Sequence, residues 1–161
     1  MRIIDSDILS YALLEDHIAT PYARPLVERA LKGEVKLYVL PTTLLETYNV
    51  LYWYYRVRPR WAVAKKVLAV AEGLTLVQPS ERGFYMAVEE NVPLGDAILV
   101  ATALDSNIPV VVLNDRHVRR LAEKYGLIFE NPIPEEVRKQ MLCPAKIMWM
   151  VARRGGTLGA R

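Results

Sequence analysis

The sequence predicts an α/β fold, a three-layer α/β/α sandwich around a central, mostly parallel sheet of four or five strands. Three observations carry that expectation. Short runs rich in Val, Ile and Leu recur without period-two alternation, the pattern of strands buried on both faces of a parallel sheet. Longer segments with helical punctuation separate these runs, and strands alternating with helices imply right-handed crossovers with helices on both faces. A length of 161 residues at 52% hydrophobic content is enough for one sizeable core.

The first strand is expected at residues 2–4, followed by helices at 8–15 and 22–32, the second ending before Gly33. A strand at 35–40 leads into a helix at 43–55 that carries the aromatic run Tyr48, Tyr52, Trp53, Tyr54 and Tyr55. Tyr48, Tyr52 and Tyr55 share one face, which reads as internal packing or as a partner interface. Pro59 opens a helix at 60–71, in which Trp61, Ala64, Val67, Leu68 and Ala71 recur at helical spacing and leave Lys65 and Lys66 outward. After Gly73 come a strand at 74–77, Pro79, and helices at 81–90 and 96–105. A strand at 110–113, a helix at 117–125 closed by Gly126, and a strand at 127–129 complete the alternation.

From Asn131 the character changes. Pro132, Pro134 and Pro144 bracket a short helix at 135–142, a further helix is expected at 145–152, and the end from Arg153 to Arg161 is glycine-rich and basic. The chain thus divides into a domain over 1–131 and a C-terminal helical extension with a basic tail over 132–161. No apolar stretch reaches the roughly 18 residues of a membrane span, and the early acid Asp5 breaks any signal-peptide pattern. A single cysteine, Cys143, excludes an internal disulfide, and two histidines, His17 and His117, are too few for a Cys/His zinc site. A cytoplasmic location follows as the expectation. The net charge of +3 permits a polyanionic partner without requiring one.

Four acids stand where an apolar strand end or helix face has no use for one: Asp5, Glu46, Asp96 and Asp115. Such carboxylates are costly unless something positive neutralises them. Asp5 and Asp115 follow expected strands, Asp96 opens a helix, and Glu46 lies one turn into another. Strand C-termini line the edge where open α/β sheets keep their sites, so these positions converge if the two strands are neighbours. Carboxylates without histidine or cysteine suit a hard cation with oxygen ligands, Mg²⁺ or Mn²⁺, which activates water for phosphodiester hydrolysis. Each acid also has a plainer reading: Asp5, Ser6 and Asp7 as caps of the first helix, Asp96 as an N-cap, Asp115 as a turn residue, Glu46 as a solvated side chain. Arg116, Arg119 and Arg120, like Arg56, Arg58, Arg60, Lys65 and Lys66, read either as solvated helix faces or as guides for a polyanionic backbone.

At these residues the chain resembles the PIN-domain ribonucleases, including the VapC-type toxins. The resemblance rests on Ile3-Ile4-Asp5-Ser6-Asp7-Ile8-Leu9, on Pro41-Thr42-Thr43-Leu44-Leu45-Glu46, on Leu94-Gly95-Asp96-Ala97-Ile98-Leu99-Val100-Ala101-Thr102-Ala103, and on Val110-Val111-Val112-Leu113-Asn114-Asp115-Arg116-His117, in order over about residues 1–131. It implies that Asp5, Glu46, Asp96 and Asp115 are the catalytic and metal-binding set of a Mg²⁺- or Mn²⁺-dependent endoribonuclease. It implies further that Ser6 and Asp7 support the ligands, that RNA is the substrate, and that a toxin of this kind is a homodimer with an antitoxin protein as partner. Two positions depart from the pattern: Leu113 replaces a customary Thr or Ser, and Val118 a customary aromatic. An RNA-processing PIN protein without an antitoxin, a non-catalytic PIN-like scaffold, and a haloacid-dehalogenase-like phosphatase using Asp5 are the competing readings.

Overall fold

The computed structural model describes residues 1–141. Strands β1 (Arg2–Ile4), β2 (Leu37–Val39), β3 (Thr75–Leu76), β4 (Val110–Val112) and β5 (Ile128–Glu130) form one sheet in the order β3-β2-β1-β4-β5. Every pairing is parallel, so the sheet is wholly rather than mostly so. The helices are α1 (Ser6–Leu13), α2 (Thr20–Leu31), α3 (Pro41–Asn49), α4 (Arg60–Gly73), α5 (Arg82–Glu90), α6 (Leu94–Asp105), α7 (Arg116–Lys124) and α8 (Glu135–Met141). Expected strands and helices within these residues are present with ends displaced by a residue or two. The expected helix at 145–152, the basic tail and Cys143 lie outside the described residues.

Adjacent strand residues point to opposite faces, and the sheet sorts its side chains accordingly. Ile3 and Val111 pack with α6 and α7 in one fully buried cluster. Ile4, Leu37, Val39 and Val112 pack on the other face with α1, α2 and Val70 of α4. Ile3 and Ile4 are both 0% exposed, which explains why β1 shows no alternation. Helix α6 is buried throughout residues 97–103, so an apolar run beginning at Ala97 is what its position demands.

Two local readings change. In α4 the side chains turned inward are Val63 and Val70, while Trp61 and Leu68 are exposed. Lys66, expected outward, is partly covered and donates to the Leu13 carbonyl at 3.0 Å and to Glu15 at 2.6 Å. The helix is apolar over so much of its circumference that periodicity cannot select a face. The helix expected over 43–55 is α3 followed by a π-helical segment, Val50–Tyr54. This wider turn keeps Leu51 buried, with Tyr48, Tyr52 and Tyr55 packed around Leu14, Leu51 and Val63. Packing is therefore the role of that tyrosine face, while Trp53 and Tyr54 point outward.

Candidate active site

The strand order reverses at β1, with β2 on one side and β4 on the other. Open α/β sheets form a crevice at the C-terminal ends of the strands flanking such a reversal. The condition set by the sequence is met: β1 and β4 are neighbours, Ile4 stands opposite Val112, and the Asp5 N–H donates to the Val112 carbonyl at 2.9 Å. Asp5 leaves β1, and Asn114 and Asp115 leave β4, at the same edge. Helix α3 begins directly after β2, bringing Glu46 alongside, and α6 returns toward β4 with Asp96 in its first turn.

Asp5 is the N-cap of α1 and accepts from the Ser6 N–H at 2.8 Å. Asp115 likewise caps α7, accepting from the His117 N–H at 2.6 Å. Asp96 caps nothing: the N-cap of α6 is Pro93, and Asp96 lies in the first helical turn. Glu46 is exposed and Ser6 is buried. Asp7 is held at both oxygens, by the Ile8 N–H at 2.6 Å and by the Asn114 N–H at 3.2 Å, which ties α1 to the loop after β4. That loop is braced in turn by Asn131, which donates to the Asn114 side chain at 2.9 Å.

The electrostatics bind these positions into one group. Burial raises the Asp5 carboxyl well above the ordinary value, and Asp7, Glu46 and Asp96 raise it further, against the Ser6 N–H. Asp7 is pushed up to about 7 by burial, with Asp115 and Glu46 adding to the rise. Asp96 is pushed up to about 6 by burial, then by Asp115 and Glu46, while His117 opposes the shift. Among the described residues none of these five acids is ion-paired with a Lys or Arg. Carboxylates that desolvate and repel one another in this way favour an added cation. The donor set, all oxygen, fits a hard divalent ion, although among the described residues no three His, Cys, Asp or Glu side chains stand close enough together to hold one as placed.

The two departures from the motif pattern lie beneath the site. Leu113 is 0% and Val118 1% exposed, both in the α6–α7 core, so they fill the core under the site. Arg116, Arg119 and Arg120 are exposed on α7 beside Asp115 and line a groove of about 370 Å³. Sequence reasoning weighed His117 only as one of two histidines and Asn114 only as a neighbour of Asp115; the structure adds that the Asn114 N–H holds Asp7 and that His117 opposes the rise at Asp96. Sequence reasoning passed over Arg138 and Lys139, which α8 brings to the same groove.

A sequence model of the PIN domain matches residues 2–124. Among solved structures, PAE2754 from Pyrobaculum aerophilum is similar with a TM-score of 0.57 at 27% identity, over 80% of this chain and 89% of that one. VapBC2 from Rickettsia felis, solved bound to a DNA fragment from their promoter, is similar in fold with a TM-score of 0.56 at 16% identity, over 81% and 97% respectively. Comparison with curated proteins gives no match. Among the described residues no helix is long and apolar enough to cross a membrane.

Proposed function

We infer the function from one premise: the chain belongs to the PIN domain family, a family of nucleases. The reading is an endoribonuclease that hydrolyses RNA phosphodiester bonds with Mg²⁺ or Mn²⁺. The observation that carries it is the gathering of Asp5, Asp7, Glu46, Asp96 and Asp115 at one sheet edge, where Asp5, Asp7 and Asp96 each have their proton affinity raised by others of the group. Asp5, Glu46, Asp96 and Asp115 are the residues that would hold the ion, which when bound activates water and offsets the charge on the reacting phosphate. Asp7 fixes the α1 start against the β4 loop and so sets the spacing of Asp5 and Asp115. The caps on Asp5 and Asp115 orient each carboxylate while using only one of its oxygens.

The purified protein is expected to cleave single-stranded RNA with Mn²⁺ and to lose that activity in Asp96→Asn. The variant should keep its fold, because neutralising a carboxyl already pushed up to about 6 removes an unfavourable charge. Unchanged cleavage by folded Asp96→Asn overturns the assignment. Within this reading the motif resemblance supports the role of toxin in a toxin–antitoxin pair. Inhibition of the same cleavage by the product of an adjacent small reading frame tests that role, and its failure leaves an RNA-processing nuclease.

A further inference from the structure

The groove beside Asp115 is walled on one side by α7 and on the other by α8, the latter beyond the span that matches the family. Five cationic side chains line it, Arg116, Arg119, Arg120, Arg138 and Lys139, against the three carboxylates of Asp115, Glu123 and Glu135. Two of the carboxylates are engaged locally, Glu123 with Arg119 at 2.8 Å and Glu135 with Lys139 at 3.2 Å. Arg116, Arg120 and Arg138 form no ion pair among the described residues.

A second feature singles out Arg138. Its Nε is shielded from solvent and has no hydrogen-bond partner among the described residues. A buried donor left unmet costs about 1–3 kcal/mol, and a guanidinium fork is shaped for the oxygens of a phosphate. Asn114 and Asp115, just past the C-terminal end of β4, line the same groove, so a strand lying in it runs past Asp115, one of the five acids.

We propose that this groove binds the phosphate backbone of the RNA strand to one side of the cleaved bond, with Arg116, Arg120 and Arg138 engaging its phosphates. The proposal rests on the nuclease reading above and adds where the substrate lies. It gives α8 a function: the helix completes a binding groove that α7 alone leaves open. An acidic segment of a protein partner is the other polyanion with suitable charge. Asp115 lines the groove and also raises the proton affinity of Asp7 and Asp96, which favours the nucleic acid, since only a strand with a scissile phosphate gains by lying against both the cations and that carboxylate.

The test uses the full chain carrying Asp96→Asn, in chelator, with a fluorescently labelled single-stranded RNA oligonucleotide titrated over a range of salt. Adding Arg138→Gln or Arg120→Gln should weaken binding several-fold. Each should also flatten the slope of log affinity against log salt by about 0.7 for every phosphate that is no longer neutralised. Lys65→Gln on the far helix α4, equal in charge removed, should change neither. In the otherwise unaltered protein the two arginine substitutions should raise KM for cleavage with little change in kcat. The proposal is overturned if both arginine variants bind as the parent does, or if Lys65→Gln weakens binding equally. It is also overturned if they lose affinity for a poly-glutamate peptide while keeping that for RNA. Because binding is read without cleavage, its outcome stays separate from that of the nuclease assay.

Discussion

Asp7 accepts one N–H at each carboxylate oxygen, and the two donors come from chain positions 8 and 114. An asparagine has only one acceptor oxygen, so Asp7→Asn must leave one of these N–H groups unmet and loosen the join between α1 and the β4 loop. Positions that orient metal ligands commonly change affinity or activity by about 10–100-fold. The expected outcome is therefore a cleavage loss of that size, recovered by raising the Mn²⁺ concentration, whereas the loss in Asp96→Asn resists added metal. Cleavage by Asp7→Asn with wild-type metal dependence would remove Asp7 from the site. At this scale the sequence was informative about which acids to question and less so about their roles. Asp5 caps a helix, as the plainer reading held, and Asp115, read there as a turn residue, caps one too, yet each cap engages a single oxygen, so capping and ligand binding are compatible. Asp96, read as an N-cap after Gly95, caps nothing because the cap is Pro93, three residues earlier, and the helix already runs from Leu94. The bond from Asn114 to Asp7 spans 107 residues of sequence and leaves no local trace.

Helices α5 and α6 show what an element's sequence can conceal. A Cβ on Gly83 of α5 would lie 2.6 Å from the Ile98 Cα and 2.9 Å from its backbone nitrogen. The two helices therefore meet backbone to backbone at that point, and relief requires the helix axes to separate. Overpacking of this kind costs about 1–3 kcal/mol, more than the gain of up to about 1 kcal/mol expected from replacing a helical glycine by alanine. Gly83→Ala is expected to lower the denaturation midpoint, and because α6 carries Asp96, to reduce cleavage as well. A stabilised Gly83→Ala protein would mean the two helices can part freely. A glycine inside a helical pattern gave no warning of this close approach, since it depends on a partner the local sequence does not name. The existence of α6 was legible for the opposite reason: burial all round leaves an unbroken apolar run. In α4 the same breadth of apolar residues made the helix easy to find and its buried face impossible to choose.

At the scale of the molecule, the alternation of strands and helices revealed the layered class, but not the order β3-β2-β1-β4-β5 that makes a site of the acids. That order follows from which crossovers lie on which face of the sheet, a property of packing among distant segments, and it places Asp5 beside Asp115. One consequence concerns the stability of the whole chain. Asp5, Asp7 and Asp96 hold protons in the folded state at pH values where an unfolded carboxyl, near 3.8, has released them. When the folded state binds more protons, stability falls as pH rises. The protein in chelator should accordingly be most stable near the acid end of the interval from about 4 to 7, and its Tm should decline across it. His17, whose proton affinity burial lowers, acts in the opposite sense below its ordinary value of 6.5, so the contribution of the acids is read as the difference from Asp96→Asn, whose decline should be shallower. A divalent ion binding only the folded state adds about 2.7 kcal/mol at a hundred times its Kd. Because its ligands must be deprotonated, that gain should be larger at pH 7.5 than at pH 5 and smaller in Asp96→Asn. Thermal melts at the two pH values, with and without Mn²⁺, measure all of these terms together. A Tm that ignores both pH and metal would show that the carboxylates do not act as one charged group, and the metal-dependent reading would fall with them.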